Sequence, residues 1–291
     1  MNKQDELKKN LYLSVGNDND YYQKDKRTDA KKRNIGYSKV KKGTKLFYRD
    51  NLKLVRIDDV IEIDSRRYKH ISSIGRQQKI IIGTDDRIKA IHEIFPYKAI
   101  SLLLIEDKFG ETYWGTGFFI AEKCVITAGH CVFFNNNWVK EIKVIPGANG
   151  NIKPFGAQIS RNFKSVLGWT NHYDNNYDHG AIILNDSTLF NNIKATFDIK
   201  EYSNESKIEI SGYPTDKNGF QWKSIGTISS SSPNRFFHDL DTLSGNSGSP
   251  VYIENGERRT VIGVHTFGDD PNSAVSINNE IFDLWTNWSK L

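Results

Sequence analysis

The run Gly245-Asn246-Ser247-Gly248-Ser249-Pro250 holds a serine between glycines. No bulky neighbour covers its hydroxyl, and the glycines let backbone N–H groups turn into one concave spot beside it. A nucleophile with oxyanion donors at its side is what acyl transfer requires. The same composition also suits a tight turn between strands. For chemistry, the chain must also supply a base to take the serine proton and a carboxylate to orient that base.

The chain has seven histidines, and one of them, His130, closes the run Val125-Ile126-Thr127-Ala128-Gly129-His130-Cys131. An apolar, β-rich stretch ends there in small residues, which let another group approach the imidazole closely. Asp178 lies in Asn176-Tyr177-Asp178-His179-Gly180-Ala181-Ile182-Ile183-Leu184, at a loop-to-strand junction. Asp174 and Asp186 are its rivals, but Asp178 alone abuts the apolar run, where burial keeps a carboxylate dry beside an imidazole. Each signal has an ordinary structural reading: a core histidine, a turn aspartate, a glycine turn. Their order, His130, Asp178, Ser247, with each at the end of a strand-like run, is far more specific than any one.

The elements that must position them read as short strands. Ile100–Ile105, Gly117–Ile120, Ile142–Ile145, Ala181–Leu184, Lys207–Ser211, Pro250–Ile253 and Val261–Thr266 are separated by turn signals, without helical periodicity. This spacing predicts an all-β barrel or sandwich. The last segment differs: Ile277, Ile281, Leu284, Trp285 and Trp288 recur at three- and four-residue intervals behind Asn278. They predict an amphipathic C-terminal helix capped by Asn278.

The segments Gly115-Thr116-Gly117-Phe118-Phe119-Ile120, Val125–Cys131, Tyr177–Leu184, Ser211-Gly212-Tyr213-Pro214 and Gly245–Val251 together resemble the chymotrypsin-fold serine proteases. More closely they resemble the glutamyl endopeptidase (V8-like) branch, over about residues 80–291. The resemblance implies two six-stranded antiparallel β-barrels with a C-terminal helix. It implies a serine endopeptidase without cofactor or metal, acting as a monomer on protein and peptide substrates. In it His130 is the general base, Asp178 its orienter and Ser247 the nucleophile, with the N–H groups of Gly245 and Ser247 as the oxyanion hole. It also implies that Thr242, His265 and Thr266 bind an acidic substrate side chain, so that cleavage follows Glu, then Asp. A hydroxyl and an imidazole donate to a carboxylate, and a protonated imidazole adds charge.

Two residues depart from simple expectation. Asp241 stands six residues before Ser247, where trypsin-like members carry the aspartate that selects Arg or Lys. A pocket faced by Asp241 favours a cation; one lined by Thr242 and His265 favours an anion, and this is the preferred reading. Asn246 stands where trypsin-like enzymes place an aspartate that pairs with a new N-terminal ammonium. By resemblance, the amine of Ile80 instead joins the substrate pocket.

Charge divides the chain. Residues 1–79 carry 21 Lys/Arg against 11 Asp/Glu, a net of +10, while residues 80–291 carry 19 against 24, a net of −5. The first segment has little apolar periodicity until about Lys45, and then short β-like runs appear at Lys45–Tyr48 and Val60–Ile63. It reads as a basic, partly disordered leader or pro-segment. Without regularly interleaved aromatics or a recognition fold, it does not read as a nucleic-acid module. The Arg76–Lys79 stretch precedes Ile80-Ile81-Ile82-Gly83-Thr84-Asp85-Asp86-Arg87. By resemblance, an activating protease cuts after Lys79 and frees Ile80.

Cys124 and Cys131 lack metal-ligand spacing, and either a bridge between them or two free buried thiols fits. No apolar run approaches the roughly 18 residues of a membrane span. Resemblance implies secretion, although residues 1–6 show no apolar signal region. Other classes remain: an endopeptidase selecting Arg/Lys through Asp241, or a catalytically silent protease-like binding protein. The intact Ser, His and Asp argue against silence.

Overall fold

A computed structural model describes residues 10–17, 81–268 and 271–291. The Lys79–Ile80 bond, Ile80 itself and the runs at 45–48 and 60–63 lie outside the described residues. The strands are β1 (Ser14–Gly16), β2 (Ile88–Lys89), β3 (Ile100–Glu106), β4 (Thr112–Phe119), β5 (Cys124–Thr127), β6 (Phe133–Phe134), β7 (Asn137–Trp138), β8 (Glu141–Pro146) and β9 (Gln158–Ser160). They continue with β10 (Asn162–Val166), β11 (Gly180–Ile183), β12 (Asp198–Ile199), β13 (Lys207–Gly212), β14 (Trp222–Ser232), β15 (Arg235–His238), β16 (Pro250–Asn255), β17 (Arg258–Phe267) and β18 (Asn272–Ser276).

The first sheet runs β1-β10-β11-β5-β4-β3-β8-β9. Only Arg161 separates β9 from β10, so those two strands are one bent strand that closes a six-stranded barrel. The second sheet runs β12-β17-β16-β13-β14-β15-β18, and β17 also pairs with β18, which closes a second six-stranded barrel. Closure removes the exposed edges that make open antiparallel sheets prone to associate. The seven strand-like runs fall on β3, β4, β8, β11, β13, β16 and β17.

Alternation puts Leu103, Ile105, Val144, Val125 and Ile182 on the inner face of the first barrel, each fully buried. The second has its own cluster of Ile208, Ile210, Phe236, Leu240, Val251, Ile262 and Ala274. The C-terminal helix spans Asn279–Trp288, and the Asn278 side chain accepts from the Ile281 N–H as its N-cap. Ile281, Trp285 and Trp288 form its buried face. That face packs on the first barrel: Trp285 lies edge-on to Phe118, and its Nε1–H donates to His179 Nδ1 at 3.2 Å.

Candidate active site

His130 comes from a single helical turn, Gly129–Val132, that follows β5 directly. Asp178 precedes β11, which pairs with β5 so that Gly180 faces Thr127. This pairing brings two residues 48 apart in sequence into contact. The fully buried carboxylate of Asp178 grips His130 twice. Oδ1 accepts the His130 backbone N–H at 2.8 Å, and Oδ2 lies 2.8 Å from Nδ1. A proton on Nδ1, held by Oδ2, leaves the lone pair on Nε2, the form a general base needs. His130 Nε2 is buried and has no partner among the described residues. Burial acts to lower the His130 pKa, but the facing Asp178 carboxylate outweighs it and raises the pKa. Asp174 and Asp186 are spent locally, Asp174 capping Asn176 N–H and Asp186 accepting from Thr188 N–H.

Ser247 sits in the turn before β16 and is partly exposed, between the buried residues Asn246 and Gly248. The first barrel holds this turn from below. Thr116 on β4 donates its N–H to Ser247 O at 2.9 Å and its hydroxyl to Gly245 O at 2.7 Å. The same hydroxyl accepts Tyr213 N–H at 3.1 Å. From the second barrel, Gly248 N–H donates to His265 O at 2.8 Å, and His265 N–H donates to Ser249 O at 2.9 Å. Gly245 has φ +98° and Gly248 φ +88°, where a side chain is strained. A Cβ at Gly248 would also run into Thr116 O and Thr127 Oγ1. The glycines therefore permit a close approach of backbone to backbone. The N–H groups of Gly245 and Ser247 donate to no group among the described residues, so both are available to an oxyanion.

His265, expected to bind an acidic side chain, is tied to the serine turn through its backbone. Thr242 and His265 are buried, and His265 Nδ1 lies 3.3 Å from His238 Nε2, also buried. His238 comes from β15 and His265 from β17, the two strands that flank β18. Burial pushes the His238 pKa down to about 3 and holds His265 well below the usual histidine range, with His238 and His130 adding to the latter effect. Thr242 Oγ1 and Thr266 Oγ1 are buried without a partner among the described residues. Thr266 is the extra residue of a bulge between His265 and Phe267.

Asp241 is occupied. Its Oδ1 accepts Ile82 N–H at 2.7 Å and its Oδ2 accepts Asp86 N–H at 3.2 Å. Next along this segment, Arg87 forks onto Asp85 and Asp216, with its Nη2 2.8 Å from each carboxylate. Thr215, beside Asp216, donates its N–H to Ser244 O, so the segment is tied to the serine turn through a short chain of contacts. Cys124 and Cys131 are both buried and free, and Cys131 Sγ lies 3.8 Å from Ser247 O.

Sequence reasoning missed His238 and Thr116. His238 is one of two histidines that meet only through barrel closure, and 27 residues separate it from its partner. Thr116 lies within the run Gly115–Ile120, but nothing in its sequence context shows which carbonyl it reaches.

Residues 98–284 match the trypsin family. The chain therefore belongs to the trypsin family and is a chymotrypsin-fold serine endopeptidase of the V8-like branch. It is 35% identical over 227 residues to a glutamyl endopeptidase of Bacillus licheniformis, covering 72% of this chain and 69% of the relative. It is 30% identical over 237 residues to a glutamyl endopeptidase of Staphylococcus epidermidis, covering 76% and 79%. A protein of Bacillus subtilis named extracellular metalloprotease is 34% identical over 223 residues, covering 73% and 71%. Among the described residues, no three His, Cys, Asp or Glu side chains are grouped to hold a metal ion. A solved structure of a Glu endopeptidase in complex with MPD superimposes with a TM-score of 0.65 at 26% identity, covering 73% of this chain and all of the other. No helix among the described residues is long and apolar enough to cross a membrane.

Proposed function

We propose that this endopeptidase cleaves after glutamate, less readily after aspartate, with Ser247, His130 and Asp178 as its catalytic residues. The observation that carries the specificity is the division of labour around Asp241. Its carboxylate is taken by two backbone N–H groups, while Thr242 and Thr266, the latter next to His265 in sequence, hold buried hydroxyls without partners among the described residues. Buried unpaired hydroxyls are costly unless a ligand completes them. A substrate carboxylate accepts from them, and a substrate cation does not. With its proton on Nε2, His238 donates to His265 Nδ1, leaving the Nε2–H of His265 to donate to the same carboxylate.

In the reaction, Ser247 Oγ bonds to the scissile carbonyl carbon as its proton passes to His130 Nε2. The oxyanion that forms is held by the N–H groups of Gly245 and Ser247. The C–N bond then breaks, the leaving amine takes the proton from His130, and an acyl-enzyme remains. Water repeats the sequence and frees the acid. Asp178 stabilises the imidazolium and keeps its protonated Nδ1 in place.

The chain is a zymogen in this reading. An activating protease cuts Lys79–Ile80, and the amine of Ile80 completes the acid-binding pocket. Asp241 holds Ile82, two residues along, by its backbone. The mature enzyme works as a monomer outside the cell on proteins and peptides, a setting supported by the relative named as extracellular. The test compares a peptide series differing only at the residue before the cut, using intact chain and chain processed at Ile80. Processed protein prefers Glu over Gln and Lys by at least tenfold and exceeds the intact chain. A preference for Lys or Arg overturns the specificity, and equal rates for the two forms overturn the zymogen reading.

A further inference from the structure

Residues 10–17 lie far outside the stretch that matches the trypsin family, yet they add an outer strand to its first sheet, beside the closed barrel. β1 is the outermost strand of the first sheet and runs antiparallel to β10, with Val15 opposite Ser165. The ladder extends beyond the strand at both ends. Leu167 N–H donates to Leu13 O at 3.1 Å, and Asn17 N–H donates to Phe163 O. The Asn17 side chain closes the end, accepting from Phe163 N–H at 2.8 Å and donating to Arg161 O.

Side chains add a second grip. Tyr12 stands edge-on to Tyr177, with ring centroids 4.9 Å apart, and its hydroxyl accepts from Asn278 Nδ2 at 2.8 Å. Trp288 Nε1–H donates to Ser14 Oγ at 2.9 Å. Leu11 and Tyr12 pack on the main apolar cluster. The strand thus bridges β10, the C-terminal helix and the turn that delivers Asp178, since Tyr177 precedes Asp178 and Ser165 Oγ donates to His179 O.

We propose that this segment is a permanent subunit-like strand: residues 10–17 stay docked on β10 after the leader is cut, so the mature enzyme is two pieces held without a covalent link. Removing β1 would leave the β10 edge with unpaired N–H and C=O groups, the usual template for unwanted strand addition. A strand bound by main-chain ladder and aromatic anchors is a known mode of peptide capture. This inference rests on reading residues 1–79 as a removable leader, but not on the choice of Glu.

The leader carries 21 Lys/Arg, yet none lies between Asn10 and Gln23. Pancreatic trypsin, which cuts after Lys and Arg, therefore releases Asn10–Lys24 as one peptide from the full-length Ser247→Ala chain. On gel filtration in native buffer, this peptide travels with the body at about one to one and separates only in denaturant. Its appearance in the low-mass fraction under native conditions overturns the inference. In Tyr12→Ala, the peptide leaves roughly thirtyfold faster, the loss of one half-buried aromatic anchor. An unchanged rate contradicts the docking. The Ser247→Ala chain has no activity to lose, so these results bear on docking alone. The leader reading is tested separately, by the activity of the cut wild-type chain.

Discussion

The Asp241 carboxylate accepts the backbone N–H of Ile82 at 2.7 Å. An aspartate six residues before a serine nucleophile invites a cation-selecting pocket, but this one is engaged by main chain on both oxygens. It is an anchor for the segment that follows Ile80. Asp241→Ala therefore frees that segment without creating or removing a cation site. Activity on a Glu peptide falls roughly tenfold or more, the scale of losing charge-assisted hydrogen bonds. Cleavage after Lys or Arg stays negligible before and after the change. Strong Lys cleavage by wild type that vanishes in the variant contradicts this account.

Asp178→Asn tests the orienting role. An amide cannot hold the Nδ1–H tautomer as a carboxylate does, and the expected loss in kcat is on the order of 10⁴-fold. The pH profile adds a sign. Asp178 raises the pKa of His130, and the base works only when neutral, so wild-type activity is lost as pH falls through that raised value. In Asp178→Asn, residual activity persists to lower pH. The check is kcat/KM against pH for both proteins.

Thr116→Val probes the strap beneath the serine turn. Valine keeps the shape but loses the hydroxyl that bonds Gly245 O and Tyr213 N–H. Two buried backbone groups then lack a partner, at about 1–3 kcal/mol each. Thermal denaturation shows a lowered Tm, and kcat falls more than KM rises if Gly245 is the oxyanion donor proposed above.

Buried histidines make the fold acid-sensitive, since His179, His238 and His265 are all held below the usual histidine range by burial. Burial holds His179 down to about 4 and His238 down to about 3, against 6.5 when exposed. Between those values and 6.5, the unfolded chain binds protons that the folded chain refuses. Stability is fully present above pH 6.5 and declines as pH falls toward 3, by on the order of several kcal/mol for the pair. Denaturant titrations of the Ser247→Ala protein across this range measure the slope. His179→Gln keeps an acceptor for Trp285 Nε1–H and flattens the slope between pH 6.5 and 4.

The residues proposed as the triad stand out because each closes or opens an apolar run, and strand ends are local features. The all-β class and the capped helix followed from strand spacing and from Asn278 for the same reason, whereas the two barrels came with the family resemblance. What a linear reading lacks is cross-strand register. His238 meets His265 only when β15 and β17 flank β18, and Asp241 reaches Ile82 across 159 residues. The sequence reading placed no element before about Lys45. Leu11–Val15 is too short a run to announce a strand, and its ladder partner lies some 150 residues away. The two cysteines, open to either reading, are both buried and free.

The central claim is that Ser247, activated by His130, is the nucleophile. The direct measurement treats processed protein with a serine-directed fluorophosphonate and locates the adduct by mass spectrometry. The account predicts a single adduct on Ser247, abolished in His130→Ala. No adduct, or one on a different serine, contradicts it.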